Sequence, residues 1–294
     1  MARRPRARPV PRASLPLDRR RFLKRLLGAT GALALGGCSL ESVREPRVVQ
    51  VTHPTIAIPG LPSDLDGLTI CQITDVHHGP YLDRERVRRV VDLVNSLRPD
   101  LIAISGDSVS RDVCYIGPVW REFARLQAPL GIYSVLGNHD HWVGADETRA
   151  ATAEAGIVEL DNRAVPLGQM HVQGSDLYLA GVDDLWTGSP DLETALEPLP
   201  PQAAVILLSH QPDFADEVRD PRVKLILAGH SHGGQVVLPL LGPLHVPCRR
   251  KYAAGLAQGP CGLVYTSRGI GCVTPPIRFL CPPELPVLSL RCTP

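Results

Sequence analysis

Apolar positions along this chain fall in short continuous runs separated by stretches with a helical period. Residues 68–73 (Leu-Thr-Ile-Cys-Gln-Ile) and 101–104 (Leu-Ile-Ala-Ile) are bounded by polar residues and predict buried strands. Between them Val87, Val90, Val91, Val94 and Leu97 recur on one helical face. Asp83 stands where an N-cap belongs, and Pro99 ends the period. A second helix is expected over 119–126, followed by strands over 132–136, 177–182, 205–208 and 223–227. Strands that are apolar throughout and alternate with helices predict an α/β sheet covered on both faces. From Gly233 onward Gly and Pro are frequent, which predicts short strands and loops. No internal repeat or linker interrupts the body, so it reads as one domain.

Composition sharpens this picture at one end only. The 294 residues are 44% hydrophobic and 21% charged, which suits a packed core. Aromatics reach only 4%, and this argues against base-stacking platforms for nucleic acid. The net charge of +1 conceals an asymmetry: residues 1–25 carry ten Arg/Lys and one acid, and the remainder is net acidic. An acidic body is not that of a typical nucleic-acid binder, and no nucleic-acid partner is expected. No apolar run reaches the roughly 20 residues of a spanning helix.

The basic end reads as an address. Arg19-Arg20-Arg21-Phe22-Leu23 precedes a short apolar stretch ending in Leu35-Gly36-Gly37-Cys38. This order resembles a twin-arginine export signal with a lipoprotein cleavage box. It implies export machinery as a partner, a periplasmic or cell-envelope location, and Cys38 as a candidate lipid attachment point to the membrane. Seven cysteines remain. Cys71 and Cys114 are expected as small buried hydrophobes, while five after residue 247 leave room for disulfides whose pairing stays open.

The candidate chemistry sits where the strands finish. Asp75 and His77 follow the first strand and Gly106-Asp107 the second. Gly137-Asn138-His139-Asp140 follows the third. Ser209-His210 and Gly229-His230-Ser231-His232 follow two more. Ligands of open α/β sheets bind at the carboxyl ends of strands, so these segments are expected to converge. Asp, Asn and His without thiolate favour Mn, Fe or Zn. The steps Asp75/His77 and His230/His232 are expected to put paired ligands on one side of an extended turn. Single residues of these types are more often caps than ligands; eight at five strand ends are not.

Together these five blocks, in this order, resemble the calcineurin-like metallophosphoesterase superfamily, in its bacterial exported phosphodiesterase branch. The resemblance covers residues 68–235, and the Cys281-Pro-Pro-Glu284 tail extends it. It implies a four-layer α-β-β-α sandwich with a signal segment at 1–38, an extension with the first strands at 39–66, and one catalytic domain at 67–294. It implies a cofactor of two divalent metal ions. Asp75, His77 and His232 would bind one and Asn138, His210 and His230 the other, with Asp107 bridging. His139 would protonate the leaving alkoxide, and Asp140 is a candidate orienter of it. The implied reaction is hydrolysis of a phosphodiester or phosphomonoester by a hydroxide bridging the metals. The substrate would be a phosphoester, with a lipid or envelope component as one candidate. A pyrophosphate link in a diacylglucosamine nucleotide is the alternative, and a non-catalytic binding protein is the alternative of another class. Arg268 is a candidate substrate contact, with a surface ion pair as its equal alternative. His78 and His141 match nothing in the pattern and are expected at the surface or behind the ligands. The His-x-His-x-Asp-His string of metallo-β-lactamases and the His-Glu-x-x-His of zinc proteases are absent.

Overall fold

The computed structural model describes residues 48–59, 61, 63–167 and 177–292. The Arg19-Arg20 pair and Cys38 lie outside them. Strands β1 (Gln50–Thr52), β2 (Thr55–Ile58), β3 (Thr69–Ile73), β4 (Leu101–Ser105), β5 (Ile132–Val135) and β6 (Val158–Glu159) lie in the first sheet. β7 (Arg163–Pro166), β8 (Leu177–Gly181), β9 (Ala204–Leu208) and β10 (Val223–Ala228) lie in the second. β11 (Val237–Leu238) and β12 (Gly242–Pro243) form a separate hairpin. β13 (Gly255–Gln258) and β14 (Leu263–Thr266) complete the second sheet, and β15 (Glu284–Cys292) returns to the first. The first sheet runs β1-β15-β3-β4-β5-β6, with β2 also on β15. The second runs β13-β14-β10-β9-β8-β7. Because β1 and β2 pair with β15, residues 50–52 and 55–58 are built into the same sheet as β3.

The two-residue period of each strand sorts its side chains between layers. On β4, Leu101 and Ala103 enter the core between the sheets, whereas Ile102 and Ile104 face the helices. On β9, Ala204, Ile206 and Leu208 point inward and Val205 and Leu207 outward. Such strands are buried on both faces, which is why their sequences are apolar throughout rather than alternating. The first sheet is covered by α1 (Arg84–Leu97), α2 (Ile116–Phe123) and α3 (Asn138–Glu154), the last interrupted at Gly144. The second is covered more thinly, by α4 (Leu192–Leu196) with Phe214 and Tyr252 from 3-10 turns. This gives four layers, as expected.

Local chemistry explains the elements. Asp83 accepts the Arg86 N–H at 2.9 Å, and Val87, Val90, Val91 and Val94 form the buried stripe of α1. The second helix begins three residues before the expected 119–126 and ends earlier. It follows directly on a 3-10 turn whose Asp112 accepts from the Cys114 N–H at 2.9 Å. That turn leaves Cys114 exposed, contrary to expectation, while Cys71 is buried. The pairing of late cysteines is not seen for Cys248, Cys261 or Cys272, which are free thiols. The Cys281 thiol instead donates to the His232 and Gly233 carbonyls, and Cys292 to Leu61.

Buried Glu122 ties α2 to α1, accepting from Arg84 at 2.6 Å, Arg88 at 3.3 Å and Arg125 at 3.0 Å. Burial alone would raise its pKa, but the three guanidiniums bring it to about 2. The stabilisation is therefore full above the ordinary glutamate value and lost as pH falls through about 2. Because the arginines are half exposed, Glu122→Gln should cost only about 1–2 kcal/mol near neutral pH. Denaturant unfolding against pH should show this gap closing towards pH 2; a constant gap would contradict the assignment.

Candidate metal centre

The strand-end loops meet because adjacent parallel strands continue their pairing past their ends. The Asp75 N–H donates to the Gly106 carbonyl, His77 to Asp107 and His78 to Ser108, each at 3.0 Å. The loop after β3 thus runs alongside the loop after β4. Gln72 links the two sheets beneath them, donating to Ser105 Oγ and to the Ala228 carbonyl. From the second sheet, Gly229 donates to the His210 carbonyl, and the His230 N–H donates to both Asp75 carboxylate oxygens.

The turns are not extended, as the two-residue steps suggested. Asp75, His77, Asp107, His230 and His232 all have positive φ, between 48° and 66°. Asp and His tolerate this left-handed region better than most residues, and such strain collects at functional sites. Two glycines permit the crowding. A Cβ at Gly106, where φ is +91°, would lie 2.6 Å from His210 Nδ1. One at Gly229 would lie 2.3 Å from Asp75 Oδ2.

These loops bring the candidate atoms together in two groups. In the first, His232 Nε2 is 3.3 Å from Asp75 Oδ1 and 3.0 Å from His77 Nε2. In the second, His210 Nε2 is 3.1 Å from Asp107 Oδ2 and 3.3 Å from His230 Nδ1. Asp107 Oδ2 is also 3.5 Å from His77 Nε2, so one carboxylate serves both groups. Asn138 is buried at the start of α3 and lines the same cavity. His139 follows it, its backbone N–H donating to Asp107 Oδ1 at 2.8 Å and its ring 4.5 Å from that of His77.

Electrostatics fit a cation site. Burial drives His77 and His230 down to about 3 and His232 well below its ordinary value, so all three are neutral imidazoles. Burial and the neighbouring Asp107 raise Asp75 to about 7, despite His210. Burial would also raise Asp107, but His210 beside it holds it well below the carboxylate range. Burial opposes a charge on His210, yet Asp107 lifts its pKa to about 10. A proton on His210 is thus the charge that balances Asp107. His210 Nδ1 faces the Ser105 carbonyl at 2.8 Å, which makes Nδ1 the donor and leaves Nε2 to face Asp107. His77 Nε2 and His232 Nε2 also converge with Asp75, although two neutral imidazoles share at most one hydrogen bond. Oxygen and imidazole donors converging without thiolate suit a divalent metal.

Other candidates fall elsewhere. The Asp140 carboxylate accepts from Ser108 and from the Gly137 N–H, as the N3 residue of a capping box. It therefore orients the start of α3 rather than the His139 ring. Arg268 pairs with Glu284 at 3.1 Å and donates to Gln50 at 3.0 Å, the ion-pair alternative. His78 is buried on the Leu82 carbonyl, and His141 contacts Asp183 at 2.7 Å.

Residues overlooked in the sequence support the centre from behind. Gln211 bridges Asp184 and Asn138 Oδ1. Asp184 also accepts the Trp186 N–H, and the Trp186 ring lies 4.2 Å from that of His230. The signal was present: Asp183-Asp184 is a polar pair at the end of β8, like those after the other strands. Arg278 gave no such signal.

The comparisons decide the family. Residues 68–234 match the calcineurin-like phosphoesterases. The chain belongs to that family. The uncharacterized metallophosphoesterase YkuE of Bacillus subtilis is 35% identical over 94% of this chain and 99% of its own. Phosphodiesterase YaeI of Escherichia coli is 30% identical over 74% and 80%. A transmembrane protein with a metallophosphoesterase domain from Danio rerio is 30% identical over 89% of this chain but 61% of its own. The family uses divalent metals, and the clustered residues of this phosphoesterase provide their ligands' chemistry.

Arg278 is fully buried and has no carboxylate within ion-pair distance among the described residues. Its guanidinium donates to the carbonyls of Arg268, Gly269, Gly271 and Cys281, and lies against His232. It pins the loop over Asp75 to the loop carrying His232. Arg278→Met would leave several buried carbonyls without donors and should cost more than about 3 kcal/mol. Denaturant unfolding measures this; a loss below about 1 kcal/mol would contradict the role.

Proposed function

We propose that this phosphoesterase hydrolyses phosphodiesters at a centre built for two divalent cations. The observation that carries this is Asp107, whose one buried carboxylate oxygen is 3.5 Å from the His77 ring and 3.1 Å from the His210 ring. Asp75, His77 and His232 would hold one cation and Asn138, His210 and His230 the other, with Asp107 between. Cations held there would supply Lewis-acid polarisation of phosphoryl oxygens and a water acidified towards neutrality. The name of the similar YaeI supports the diester over the monoester.

The chain's own residues do the remainder. Asp107 fixes its two neighbours and, through the His139 N–H, the first turn of α3. His139 lines the cavity beside His77, and its ring is packed 4.8 Å from Trp142. There it donates a proton to the departing alkoxide as the phosphorus–oxygen bond breaks. Water supplies the new oxygen on phosphorus, and the products are an alcohol and a phosphomonoester.

Purified protein loaded with Mn²⁺ should turn over a soluble nitrophenyl phosphodiester and lose that activity to chelator. Metal analysis should find two ions per chain and identify Mn, Fe or Zn. His139→Ala should slow turnover by ~10²–10⁴ with metal content unchanged. Asp107→Asn should abolish turnover and weaken both ions. Metal loss in His139→Ala would overturn its assignment as the acid.

A further inference from the structure

The candidate centre opens into a cavity of about 460 Å³. Beside Asp107, Asn138, His139, His230 and His232, its lining has Ser231, His245, Thr274 and Gln235, the last already bonded to Val273 and Pro275, but most of the wall is apolar, from Trp142, Trp186, Val236, Leu244, Pro247 and Ile277. Such a wall suits a substrate with an apolar part better than one that is polar throughout.

Two of those residues flank one hairpin. Val236 precedes β11, Leu244 follows β12, and residues 239–241 turn between them. From Leu238 to Leu244 no side chain donates or accepts a hydrogen bond. Leu240 is fully exposed, at 106% of its reference area, and Leu241 is 70% exposed. Leu240 also has a φ of +68°, a region that Gly or Asn ordinarily takes. Packing within the chain explains neither its apolar side chain nor its backbone. A contiguous apolar tip of this kind marks a contact surface.

The chemistry around it selects a lipid surface over a protein. The core of a protein interface is ringed by a polar rim, and from Leu238 to Leu244 the tip offers no polar side chain for one. Trp142 and Trp186, at 60% and 51% exposure, line the same cavity, and exposed indoles suit headgroup depth. Exposed Arg249, Arg250 and Lys251 follow shortly after. Arg249 and Lys251 are tied to Asp216, in the turn that follows His210, and Arg250 has no ion-pair partner among the described residues. Cations that follow an apolar tip closely along the chain, Arg250 among them without an ion-pair partner in the described residues, favour anionic headgroups.

We propose that the 238–244 hairpin inserts into an anionic lipid surface, and that the cavity receives the apolar part of a lipid phosphoester whose phosphorus faces the metal centre. This rests on the hydrolase reading above. The test uses the full chain and vesicles of phosphatidylcholine and phosphatidylglycerol. Leu240→Trp places a reporter at the tip, and brominated phosphatidylcholine should quench its added emission whatever the N-terminal segment does. Absence of that quenching would overturn insertion, and a soluble protein partner would then be the occupant to seek. Leu240→Asn with Leu241→Asn suits the backbone and should keep turnover of the soluble nitrophenyl diester. Its vesicle affinity should fall at least about tenfold. Dodecyl phosphate should inhibit soluble turnover at least about tenfold more tightly than ethyl phosphate. Equal inhibition would overturn the cavity's role. Failure to turn over the soluble diester would count against the hydrolase reading, and the quenching would still report on the tip.

Discussion

A buried carboxylate must be matched by positive charge, and Asp107 imposes that demand on everything around it. It sits between two groups of imidazoles, most of which burial keeps neutral. Asp107 in turn favours the charged form of His210 beside it. A cation at the same place satisfies the same demand with more ligands. The paired loops, the positive-φ residues and the close glycines all serve to bring donors to this carboxylate.

The sheets supply the rigidity that such an arrangement needs. β3, β4 and β5 end side by side, and β9 and β10 end opposite them, so five loops reach one edge. The apolar core between the sheets fixes their spacing, and Gln72 bonds across it just below the centre. Strain in five left-handed candidate ligand residues is tolerated because these layers hold both ends of each loop. Arg278 closes the far side by gathering carbonyls of the long segment between β14 and β15 and lying against His232 in the loop after β10.

Beyond the centre the character of the surface changes. The inner end of the cavity is ionic, while its walls and the neighbouring hairpin are apolar. A substrate with a phosphate at one end and hydrocarbon at the other would match both. The supporting residues behind the metal candidates have a different task. Asp184 and Gln211 hold Asn138 and Trp186, and so join the ionic and apolar parts into one shape.

The strand and helix pattern was legible because burial on both sheet faces forces continuous apolar runs, and because Asp83 and the valines of α1 obey local rules. The ligand candidates were legible because Asp, His and Asn at successive strand ends share one chemistry and one location. Asp140 was misread because a carboxylate next to His139 in sequence can face the helix start instead. Arg268 and Cys114 depended likewise on partners distant in the chain or on an exposed turn. Arg278 carried no local signal, and the apolar run from Leu238 to Leu244 was visible in the sequence without its place. The positions of both arise from loops and a hairpin set by long-range packing, which no spacing along the chain encodes.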